Sequence, residues 1–145
     1  MRVCGVELKG GEAIICLLEQ NADVFVVPAC RKQSFAVPQS ATTEAMRKFQ
    51  FDFDKLMEDY HVDQIVIVER EQKGKFAGSA TSFKLEAAIQ LTDLPVSLIK
   101  PVEIKAQLKR NPPVAAFDGL DLKKFQQLAF EAAYAQHMNV MYNKD

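Results

Sequence analysis

At 145 residues the chain has the length of one domain and can bury roughly 70% of its unfolded surface. Its composition is that of an ordinary soluble globular protein, and a net charge of −1 excludes a global basic field, so any nucleic acid would have to be met by a local patch. No basic segment followed by a long apolar run opens the chain and no apolar stretch is long enough to span a bilayer, which predicts neither signal peptide nor transmembrane helix and a cytoplasmic location.

Residues 2–8 (RVCGVEL) are rich in β-formers, and residues 13–18 (AIICLL) form a second apolar run. Gly10-Gly11 lies between them, which predicts a hairpin with a primed turn in which both glycines accept positive φ. Pairing around that turn sets Glu7 opposite Ile14. Asn21-Ala22-Asp23 supplies the next turn. Residues 24–27 and 31–37 are both strand-like, Pro28 interrupts them, and one or both form the third strand.

A helix is expected over residues 43–60, capped by Thr42 or Thr43 with Glu44 in its first turn. Met46, Phe49, Phe53, Leu56 and Tyr60 recur at helical spacing, so these aromatics belong to the core and not to a stacking platform. The run VDQIVIVER, residues 62–70, is the centre of the chain. Its unbroken Ile65-Val66-Ile67-Val68 reads as a strand covered on both faces, as in the middle of a parallel sheet. Ligands of open α/β sheets gather at the carboxyl ends of such strands, which is where Glu69 stands.

Residues 71–78 (EQKGKFAG) form a basic, glycine-containing loop. It is not a phosphate-binding P-loop, since no Gly-Lys-Ser/Thr follows. Residues 80–91 are helical with Phe83, Ala87, Ala88 and Leu91 on one face, and residues 95–99 form a short strand. Pro101 opens a helix that Asn111-Pro112-Pro113 ends. A last helix, capped by Asp118 or Asp121, runs to about Met138 with Leu122, Phe125, Ala129, Ala132, Ala133 and Gln136 as its stripe. The order is three antiparallel strands, then helix, strand, helix, strand and two helices. It gives a mixed five-stranded α/β sheet flanked by helices, in a single domain over residues 1–145.

Three features carry chemistry. Glu7 and Glu69 are strand-borne acids that can meet across one sheet. Lys73, Lys75, Lys105, Lys109 and Arg110 can line a phosphate-binding rim on the same side, the plainer reading being a solvated surface. Cys4, Cys16 and Cys30 are odd in number without CxxC spacing, and His61 and His137 lie far from them, so reduced, mostly buried thiols are expected and no zinc site. His137 has no acid or serine partner at a readable spacing and reads as structural or surface.

This order resembles the ribonuclease H-like fold, and more closely the bacterial Holliday-junction resolvases of the RuvC type. VCGVELKG resembles their first strand, with its glycine, apolar residue and acid. IVIVER resembles their fourth strand and its glutamate, GKFAGSATSFKLEAAIQL the helix that follows, and PVSLIKPVEIKAQL the fifth strand and its lysine-bearing helix, where Lys105 matches. The whole chain also resembles a family of small bacterial proteins that carry a domain-of-unknown-function label. The resolvase likeness implies cleavage of phosphodiesters in structured DNA or RNA with magnesium or manganese. Glu7 and Glu69 would be metal ligands and catalytic acids. Cations about 3.5–4 Å apart activate water and stabilise the leaving oxygen in such sites.

The chain departs from the resolvase pattern twice. Glu7 stands where an aspartate is usual, one methylene longer. The last helix, which normally brings one or two aspartates, offers Lys123, Lys124, Gln126 and Gln127 instead, with Asp121 a turn earlier as the substitute acid. Glu131 falls off the core-facing stripe, and Gln126 can orient water or a base. The departures leave two alternatives to the nuclease. One is a nucleic-acid-binding module whose catalytic set has decayed. The other is a structural or regulatory homodimer formed through the Phe83, Ala87, Ala88, Leu91 face.

Overall fold

Among the described residues six strands and four α-helices make three layers, with α-helices on both faces of one mixed sheet. The computed structural model describes residues 1–38, 40–114 and 117–142. β1 (Arg2–Lys9) and β2 (Glu12–Asn21) form the expected hairpin, and Glu7 faces Ile14 across it. Of the two turn glycines, Gly10 alone takes positive φ, at +61°. Gly11 is needed for another reason: a Cβ there would lie 2.7 Å from the Val37 carbonyl oxygen.

Both candidate third strands exist. β3 (Val24–Val26) pairs with the far end of β2, and β4 (Ser34–Ala36) pairs with its near end. Proline cannot donate to a ladder, so the segment around Pro28 leaves the sheet and one outer strand becomes two short ones. The sheet is therefore five positions wide with six strands, in the order β3-β2-β1-β5-β6 and with β4 also on β2.

α1 (Thr43–Asp59) is capped by Thr42, whose hydroxyl accepts the Ala45 N–H at 3.2 Å. Phe49 and Phe53 pack with Phe35 of β4, ring centres 5.6 to 5.8 Å apart, so they are core. β5 (Gln64–Val68) then pairs with β1, and β6 (Val96–Ile99) with β5, both in parallel. Ile65 and Ile67 point into the layer of α1 and α2 (Ala80–Gln90). Val66 and Val68 point into that of α3 (Pro101–Arg110) and α4 (Gln127–Tyr142), which accounts for the unbroken Val/Ile run.

Two helical expectations need correction. The buried stripe of α2 is Ser82, Leu85 and Ile89, while Ala87 and Leu91 are exposed, so the helix is rotated relative to the small-apolar face read from sequence. Neither Asp118 nor Asp121 caps the last helix. A 3-10 turn, Lys124–Gln126, precedes α4, and the Gln126 carboxamide oxygen accepts the Lys123 N–H at 2.9 Å. That turn also leaves Phe125 half exposed. Gly5 is what lets α4 lie against the sheet: a Cβ there would overlap the Ala129 carbonyl oxygen and lie 2.9 Å from the Ala133 nitrogen. His137 is buried and structural, with Nε2 2.8 Å from the Leu18 carbonyl oxygen. The cysteines are free, Cys4 and Cys16 fully buried. No helix among the described residues is long and apolar enough to cross a membrane.

Candidate active site

The carboxyl ends of β1, β5 and β6 open at one edge of the sheet, and both glutamates stand there. Glu7 lies one residue beyond the last β1–β5 register pair, Val6 with Ile67. Its neighbours Val6 and Leu8 point into the α1/α2 layer, which turns Glu7 towards α4. Glu69 follows Val68 at the end of β5 and is held there by its own N–H, which donates to the Ile99 carbonyl at 2.8 Å. The two acids line one cavity of about 280 Å³ with Glu71, Phe76, Pro101 and Leu128. Stiff strands thus bring two like charges to one place despite their repulsion.

Both carboxylates are half-buried, and among the described residues neither is in an ion pair or a side-chain hydrogen bond. Other acids of the chain do have partners: Glu19 meets Arg2 at 2.7 Å and Glu86 meets Arg70 at 3.1 Å. Burial raises the Glu7 carboxyl above its ordinary 4.5; Lys9 opposes the shift and Glu12 adds to it. A partly desolvated carboxylate without a protein cation is a ready partner for an external one.

The donor set suits one hydrated divalent cation. Such ions keep several waters and are commonly held by one or two carboxylates plus substrate phosphates. It does not fit a site closed by protein alone, since no three acid, cysteine or histidine side chains are grouped for a metal among the described residues.

Asp121 does not join the two glutamates at this cavity. It lines a separate one of about 390 Å³ at the outer edge of β2, with Ile15, Lys32, Lys123 and Gln126. Gln126 is engaged there, donating to the Ile15 carbonyl at 2.8 Å. Beside Glu7, the start of α4 presents Leu128 instead of an acid.

A family model described as "Protein of unknown function (DUF3010)" matches residues 1–136. The chain belongs to that family. No curated protein sequence matches it. Among solved structures, RuvC of Thermus thermophilus is similar at a TM-score of 0.75 and 11% identity, over 99% of this chain and 97% of that one. RuvC from the same organism in complex with a Holliday junction substrate is similar at 0.68 and 12% identity, over 97% and 95%. A fowlpox virus resolvase with its substrate Holliday junction DNA is similar at 0.54 and 12% identity, over 98% and 99%. These likenesses establish the ribonuclease H-like fold for this DUF3010 protein.

The lysines of this family member divide into two groups. Lys73 borders a second cavity at the same mouth, of about 650 Å³, shared with Glu69, Glu71, Lys100 and Val102. Lys75 is exposed beside Phe76, its ammonium 5.9 Å from the ring centre. Lys105 and Lys109 line neither cavity. Lys105 lies one helical turn beyond Pro101, which borders both, and helical side chains lean towards the N-terminus, here towards the mouth. Lys109 is a further turn away.

Two residues at the mouth, Lys100 and Arg70, escape a sequence reading. Lys100 precedes Pro101, and that proline is a signal that places it at the opening of α3. Arg70 follows Glu69, but its partner Glu86 is 16 residues away on α2. Phe76, which the sequence offers either as a base-stacking ring or as a core or interface residue, is 83% exposed and borders the acids' cavity, so it is not core.

Proposed function

We propose that this protein hydrolyses phosphodiesters in structured nucleic acid with a divalent cation, magnesium or manganese. The observation that carries the reading is the pair Glu7 and Glu69, without a cation partner among the described residues and brought by strand ends to one open cavity. Lys73, Lys75, Lys100 and Lys105 supply a positive rim at that opening, and the complexes of RuvC and the fowlpox resolvase with Holliday junctions favour a branched substrate.

When bound, the cation supplies Lewis-acid polarisation of the phosphate and a more acidic water. The chain's own residues do the rest. Glu7 and Glu69 hold the cation. Lys73 and Lys100 orient the phosphate from the β6 side. Phe76 offers an exposed ring to an unstacked base. The free thiols agree with a cytoplasmic location.

Manganese titration by calorimetry on the wild type, Glu7→Gln and Glu69→Gln tests the assignment. Saturable binding that each substitution weakens by at least about tenfold supports it. Equal binding in all three removes both acids from the role.

Leu128, bordering the cavity beside Glu7, favours a second reading, a nucleic-acid-binding module without cleavage. It predicts salt-sensitive binding that Lys75→Ala and Lys105→Ala weaken, with no strand scission in any divalent cation. Either reading accommodates a homodimer through the exposed Ala87 and Leu91 of α2, and light scattering decides between one chain and two.

A further inference from the structure

Arg70 follows Glu69 and borders both cavities at the mouth, yet its charge is engaged elsewhere. Nη2 lies 3.1 Å from Glu86 Oε1, Nε donates to Ser82 Oγ at 3.2 Å, and Nη1 donates to the Val68 carbonyl at 3.1 Å. The guanidinium carbon sits 4.5 Å from the Phe83 ring centre. Gly78 closes the seat, since a Cβ there would lie 2.9 Å from Arg70 Nε. The Arg70 and Glu86 side chains are only 12% and 15% exposed, so solvent screens this pair weakly.

A guanidinium released at this position would find Glu69, Glu71 and Glu7 around the same cavity. Its planar fork matches a carboxylate bidentately, and a carboxylate engaged in that way has fewer lone pairs for a cation. We propose that Glu86 is a positioning residue for the mouth: by holding Arg70 against α2, it keeps Glu69 and Glu7 open to a divalent cation. This rests on the reading of the two acids as cation-holding groups, while the placement of Arg70 is tested independently of it.

Glu86→Gln removes the charge and keeps an acceptor oxygen. In a crystal structure of that variant the guanidinium is expected to turn from Ser82 and Phe83 towards Glu69 or Glu71; a guanidinium still seated on α2 overturns the proposal. By calorimetry, Glu86→Gln weakens manganese binding about tenfold or more, and the double variant Arg70→Gln/Glu86→Gln restores it. A role in stability alone leaves the double variant at least as weak as the single one, which also overturns the proposal. Should the wild type bind no manganese, the reading of the acids fails, and the crystal structure still decides where Arg70 goes. Glu86→Asp, shorter by one methylene, serves with the same readouts if Glu86→Gln does not fold.

Discussion

At Glu7 a proton and a divalent cation compete for the same oxygens. Burial raises this carboxyl above 4.5, so the ionised form that binds a cation is fully present only above that raised value and is lost as pH falls through it. Manganese affinity is therefore expected to decline at a higher pH than an ordinary glutamate would give. Calorimetry across the acid range checks this, and a decline only below 4.5 would show that Glu7 is not a ligand. Phe76 makes a different prediction. Its ring is exposed, so Phe76→Ala leaves the melting temperature unchanged but weakens binding of nucleic acid with unpaired bases by about 1–3 kcal/mol, the worth of one stacked base. Fluorescence anisotropy reads the binding; a fall in melting temperature with unchanged binding would make the ring a packing residue.

Elements, more than single side chains, decide whether the mouth exists. α4 reaches β1 only because Gly5 has no side chain, and that contact sets Leu128 beside Glu7. Gly5→Ala pushes backbone against backbone, which flexible neighbours cannot relieve, and costs about 3 kcal/mol or more by chemical denaturation. Gly10→Ala meets no atom within 4 Å but keeps a φ of +61°, and so costs only about 1–2 kcal/mol. Strands were the legible elements. Period, turn residues and the Val/Ile run fixed β1, β2 and β5 and the Glu7–Ile14 register, and with them the two acids. Helix rotation was less legible. α2 buries Ser82, whose hydroxyl donates to the Ser79 carbonyl at 2.7 Å and accepts from Arg70, and a polar residue does not register in an apolar stripe. The Arg70–Glu86 contact was hidden for the same reason. The 3-10 turn before α4 shifts the helix start, and no local signal places Asp121 in one cavity instead of the other.

At the scale of the whole molecule, His137 is a buried source of acid sensitivity. Its Nε2 meets the Leu18 carbonyl, an acceptor, so Nε2 carries the proton in the neutral ring and Nδ1 is buried without a partner among the described residues. Burial therefore lowers its pKa below 6.5, with the Leu18 bond opposing and the N-terminal amino group adding. The folded state prefers the neutral ring, so this contribution is whole above 6.5 and is lost as pH falls from there through the lower folded value. Denaturation midpoints are expected to drop on acidification below 6.5 in the wild type and to drop less in His137→Gln. Identical acid limbs would place the sensitivity elsewhere.

The proposed function rests on one geometry: two carboxylates that share a cavity and have no ion-pair partner among the described residues, with Lys73 and Lys100 bordering the neighbouring cavity, on a chain of net charge −1. The most direct test is cleavage of a four-way DNA junction in manganese by the wild type, Glu7→Gln and Glu69→Gln. The wild type is expected to cut, and each variant to be slower by at least about 100-fold, the scale of losing a cation worth several kcal/mol to the transition state. Equal cutting by all three, or junction binding by the wild type with no cutting in magnesium or manganese, would contradict the assignment of Glu7 and Glu69 as catalytic acids.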